Sequence, residues 1–127
     1  MDHQIINETF HLQLGKQKNA KALLFLYEFE DNGYFVVYNQ SLKLSAYGET
    51  PEAAKEMFIK VVFKDFCENL TALPEVEVYE ELKRLGWTRN SIFKKELSNT
   101  AVVDKEGILR NFNLAENAQI KEQYVTV

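Results

Sequence analysis

The 127-residue sequence predicts an α+β domain: an antiparallel three-stranded meander, then a long helix, with an additional helix and a β-hairpin towards the C-terminal end. Three observations carry this reading. Asn32-Gly33 separates two apolar runs and is a strong hairpin signal, because a type I′ turn needs positive φ at both central residues. Thr50-Pro51-Glu52 has the form of a helix start, with a hydroxyl cap, a proline where no amide donor is needed and an acid at the positive end of the dipole. Phe58, Ile59, Val62, Phe63, Phe66 and Leu70 then recur at helical spacing.

Taken in order, Thr9 to Leu14 alternates and predicts a short half-buried strand with Phe10, Leu12 and Leu14 inward. The meander strands are about Ala22 to Glu30, Tyr34 to Asn39 and Leu42 to Tyr47. The long helix runs from Pro51 to about Leu70, and Met57 and Val61 widen its stripe enough to suggest cover on more than one side. Leu73-Pro74 ends it. A second helix spans Glu75 or Val76 to Leu85, with Gly86 as its left-handed terminator. Ser91 to Leu97 reads as a short helix or as irregular chain. Thr100 to Asp104 and Gly107 to Phe112 read as a hairpin about Asp104-Lys105-Glu106-Gly107, and the end of the chain, Ile120 to Val127, is strand-like. No linker or repeat divides the chain, so residues 1–127 read as a single domain with its core at about 20–71 and an extension at about 75–127.

Composition excludes more than it selects. One cysteine, Cys67, cannot build a disulfide framework or a multi-cysteine zinc site. The N-terminus has neither a basic region nor an apolar one, and no run approaches a membrane span, so the expected location is cytoplasmic, without membrane contact. Enzyme chemistry finds little support and no cofactor is implied. The two histidines, His3 and His11, lie far in sequence from Cys67, which sits on an apolar helix face. Glu28, Glu30 and Asp31 read as solvated acids before a turn rather than as metal ligands, and no phosphate-loop, dinucleotide or zinc-protease motif occurs.

Two features bear on partners. The net charge of -4 hides an acidic block (Glu68, Glu75, Glu77, Glu80, Glu81) followed by a basic one (Lys83, Arg84, Arg89, Lys94, Lys95) that contains Trp87. A basic segment with an aromatic can contact phosphates and stack on a base; a dipole-friendly helix end with a core tryptophan gives the same pattern. Tyr34, Val36 and Tyr38 share one strand face and Phe35 and Val37 the other, so both faces need cover, from the C-terminal segment, a second protomer or a partner protein.

Gly33-Tyr34-Phe35-Val36-Val37 and Ser45-Ala46-Tyr47-Gly48-Glu49-Thr50-Pro51-Glu52-Ala53-Ala54 resemble, in order and spacing, the core of the HicB-type antitoxins over residues 31–70. The resemblance implies a truncated RNase H-like fold without nuclease activity. It also implies a non-catalytic protein that acts through protein–protein contacts on a small toxin-like partner, with its sheet edge or a helix face as the contact. The chain departs from the family at Asn39 to Leu44, which lacks the usual proline- and glycine-rich loop, and residues 75–127 match neither of the family's DNA-binding modules. The alternative from the residues is a nucleic-acid-binding regulator using Lys83, Arg84, Trp87, Arg89, Lys94 and Lys95. A homodimer is the further expectation from the two-sided apolar strand.

Overall fold

The computed structural model describes residues 4–127, so His3 lies outside the described residues. The architecture is α+β, with an antiparallel seven-stranded sheet. Its strands are β1 (Ile5–Gln13), β2 (Asn19–Asp31), β3 (Tyr34–Asn39), β4 (Leu44–Gly48), β5 (Thr88–Arg89), β6 (Glu96–Val102) and β7 (Lys121–Thr126). The order is β4-β3-β2-β1-β6-β5, with β7 on β2 off this path. The helical segments are α1 (Pro51–Met57), a π turn (Phe58–Val62), α2 (Phe63–Thr71), α3 (Glu75–Arg84) and α4 (Lys105–Asn111).

The meander β2–β3–β4 is present, and Asn32 (φ 53) and Gly33 (φ 83) both take the left-handed conformations that a type I′ turn requires. The expected sheet was too small, because segments on either side of the meander add strands to it. β1 begins four residues earlier than its alternation suggests, at Ile5.

The long helix starts as expected. Thr50 Oγ1 accepts from Ala53 N at 3.0 Å. Gly48 makes the approach possible, since a Cβ there would overlap the backbone of Ala53 and Ala54. The helix is not regular, however. Phe63 N donates to Phe58 O, five residues back, and this extra residue sets the phase of the buried stripe as Ala54, Phe58, Phe63 and Leu70. Met57 and Val61 stay exposed, so the cover expected on a second side is not there.

One further expectation is decided and another corrected. Of the two readings of residues 91–97, the irregular one holds as far as Lys95, and the chain then enters β6, which pairs with β1 over Ile5↔Val102 to His11↔Glu96. The hairpin about Asp104–Gly107 does not form. Asp104 Oδ1 instead accepts from Gly107 N at 2.9 Å and caps α4. Aspartate followed three residues later by glycine suits both a turn and a helix cap, and the pairing of the preceding residues with β1 decides for the cap.

The sheet separates two cores. Phe10, Leu12, Leu24, Leu26 and Val37 pack with the long helix, α3 and Trp87. Phe25, Tyr27, Phe29 and Val36 pack with Ile6 and Ile108, and Phe112 stacks on Phe29 and Tyr38. The C-terminal segment therefore covers the second face of β3 from within the chain, while Tyr34 and Tyr47 remain exposed at its margin.

β2 holds the construction together. β7 pairs with it over Leu23 to Glu28, β1 over Asn19 to Leu23, and β3 over Tyr27 to Asp31. Between the last two, the backbone of Phe25 meets side chains instead of a strand. Phe25 N donates to Glu8 Oε2 at 3.0 Å, and Phe25 O accepts from Asn39 Nδ2 at 3.0 Å. Asn39 Nδ2 also donates to Glu8 Oε2 at 2.8 Å. Asn39 Oδ1 accepts from Leu42 N and Ser41 Oγ, which fixes the β3–β4 turn. Glu8 is 3% and Asn39 1% exposed, so this polar splice is buried.

Candidate functional site

The basic segment is built by the end of α3 and the β5–β6 hairpin. α3 closes with the pair of bonds that follows a left-handed glycine: Gly86 (φ +99) N donates to Lys83 O, and Trp87 N to Leu82 O. This turn drives the Trp87 ring into the first core, edge-on to Phe10 at 5.5 Å. Trp87 is 2% exposed, so it offers no face on which a base could stack.

The structure brings some of the expected residues together and separates others. Lys83, Trp87 and Arg89 line one cavity of about 300 Å³ with Tyr79, Thr88 and Leu97. It adjoins an outer cavity of about 350 Å³, where Tyr79, Lys83 and Arg89 recur beside Glu75, Val76 and Glu80. Arg84 turns away and pairs with Glu81 on its own helix. Lys94 and Lys95 lie exposed on the hairpin loop. Arg89 is held firmly: its guanidinium sits 3.8 Å from the centre of the Tyr79 ring, and its Nε donates to Lys94 O at 2.7 Å. Among the described residues, neither Lys83 nor Arg89 enters an ion pair. The indole Nε1 of Trp87 is buried without a hydrogen-bond partner.

Besides the expected Lys94 and Lys95, the hairpin loop presents Ile92 and Phe93, neither of them singled out from the sequence, at 79% and 63% exposure. Asn90 Oδ1 accepts from both of their amides, at 2.8 and 2.9 Å, so the loop is ordered around the apolar pair. Tyr79 and Thr88 were also missed. Tyr79 precedes Lys83 by one helical turn and so shares its face, a signal open to reading.

Elsewhere, the acids read as solvated divide: Glu30 is exposed, but Glu28 is buried and opposite Lys121. No three His, Cys, Asp or Glu side chains cluster to hold a metal among the described residues. His11 lies exposed beside Glu96 at 3.9 Å. Cys67 borders a groove of about 580 Å³ between α2 and the start of β2, and burial pushes its thiol up to about 12. Burial likewise raises the Tyr27 hydroxyl to about 12, against a backbone hydrogen bond at Asp104. No helix of the described residues is long and apolar enough to cross a membrane.

Comparison of the chain with protein-family models, curated proteins and solved structures gave no match.

Proposed function

We propose that the chain is a non-catalytic, HicB-like binding protein that acts through protein–protein contacts on a small toxin-like partner. The meander that runs into a Thr50-capped helix past Gly48 supports the family reading. The contact reading rests on one observation: an ordered hairpin loop that holds Ile92 and Phe93 in solvent, flanked by Arg89, Lys94 and Lys95. With the backbone beneath them already fixed, two large apolar side chains lose less entropy when a partner covers them than they would on a free loop. The surrounding cations favour a partner with an acidic rim.

The test is to look for a small reading frame beside this gene, whose absence would count against the reading, and to use it in a growth assay. The neighbour alone is expected to arrest growth, and this chain to relieve the arrest. Ile92→Asp/Phe93→Asp should abolish relief without lowering the melting temperature. Relief that survives this double variant, or a harmless neighbour, overturns the reading. Light scattering on the purified chain reads the homodimer separately: the face of β3 that suggested a second copy is covered by α4, so self-association would have to use another surface, such as the exposed Tyr34 and Tyr47, the Met57 and Val61 side of the long helix, or the hairpin loop.

The second reading is a nucleic-acid-binding regulator, favoured by Arg89, Lys94 and Lys95 on one exposed hairpin. Contacts would go to phosphates, since Trp87 is enclosed. Fluorescence anisotropy with labelled duplex and single strands checks it. Binding that falls steeply with salt and is lost in Arg89→Gln/Lys94→Gln/Lys95→Gln supports it, and salt-independent or absent binding rejects it.

A further inference from the structure

We propose that the inner cavity between α3 and β5 is a binding site for a single carboxylate carried on an apolar body, such as an aromatic carboxylic acid or the C-terminal residue of a peptide. The cavity holds about 300 Å³, the size of a small organic group. Its charged members, Lys83 and Arg89, are both cations, and neither has an ion-pair partner among the described residues. Its apolar surface comes from Tyr79, Trp87 and Leu97, and Thr88 adds a hydroxyl.

The independent observation is the origin of the two cations. Lys83 comes from α3 and Arg89 from β5, and a carboxylate in this cavity is a counter-charge for both. Arg89 is already fixed by Tyr79 and by Lys94 O, so little freedom is lost on binding.

The outer cavity sets the specificity. Glu75 and Glu80 stand at its wall. A ligand with one anionic end avoids them, whereas a polyphosphate or nucleic-acid backbone would carry further negative charge past them. The site goes beyond the protein-contact reading, and its probes are small molecules, so either can fail without the other.

Trp87 is the one tryptophan in the sequence, so the intact protein reports on its own cavity. Its fluorescence is to be titrated with N-acetylphenylalanine, with N-acetylphenylalanine amide, and with a short peptide ending in phenylalanine with a free or an amidated terminus. Saturable change with the acids but not the amides supports the site. Response to the peptide alone assigns it to chain termini, and response to the free acid alone to small acids. Lys83→Met, at an exposed helix position, should weaken binding about tenfold, the loss expected for one charge-assisted contact. The proposal is overturned if acid and amide respond alike, if nothing saturates, if Lys83→Met binds normally, or if a short oligonucleotide displaces the acid.

Discussion

At the scale of single residues, the most constrained group is the Glu8 carboxylate. It receives the Phe25 amide and the Asn39 side chain where β1 and β3 part along β2. Glu8→Ala would leave two donors buried without acceptors, and is expected to cost about 3 kcal/mol in chemical denaturation. Glu8→Gln keeps an acceptor and should cost clearly less. Equal losses in the two variants would show that the side chain merely fills space. The sequence hid this role, because a glutamate at an inward position looks like the end of a strand's alternation. Its need arises only from Phe25, which is remote in sequence. Cys67 offers a second test. Its thiol is held near 12 against an ordinary 9.0, so ionisation is favoured in the unfolded chain. The stability it contributes is complete below pH 9 and declines as pH rises from 9 towards 12. Relative to Cys67→Ala, the wild-type protein should lose stability over that window, and at pH 8 iodoacetamide should label Cys67 only after unfolding. Prompt labelling of the native protein would contradict this.

At the scale of elements, local chemistry was legible and long-range pairing was not. The Asn32-Gly33 turn, the Thr50 cap and the Gly86 terminator each depend on a few adjacent residues, and each stands where the sequence puts it. The π turn left only a faint trace, the spacing of five between Phe58 and Phe63, which a stripe already crowded with Ile59 and Val62 obscures. β6 and α4 were misread because β1, nearly a whole chain away, claims residues 96–102. Likewise the cations of the basic segment were visible in the sequence, but their division between cavity and loop depends on the burial of Trp87 against Phe10. Two substitutions probe these elements. Gly48→Ala forces a methyl group into the first turn of α1 and should cost about 2 kcal/mol or more. Asp104→Ala removes the α4 cap and should cost about 1 kcal/mol. A neutral result for Gly48→Ala would mean that the helix start can move away from β4.

At the scale of the molecule, the two cores are joined through β2 and closed by β7. β7 pairs with β2 along Leu23 to Glu28, sends Val125 and Val127 to the first core, and receives Lys105 of α4 on Glu122 at 2.9 Å. Deleting residues 121–127 should lower stability by at least about 3 kcal/mol, or about 10 °C in melting temperature. A truncated chain that melts unchanged would show that β7 is an accessory. There is also a consequence in time. β2 is translated early, but its second edge is completed by Lys121 to Thr126. A nascent chain therefore carries an open, strongly apolar strand until almost the whole sequence has left the ribosome, and in that interval it depends on delay or on chaperones to avoid pairing with the wrong edge.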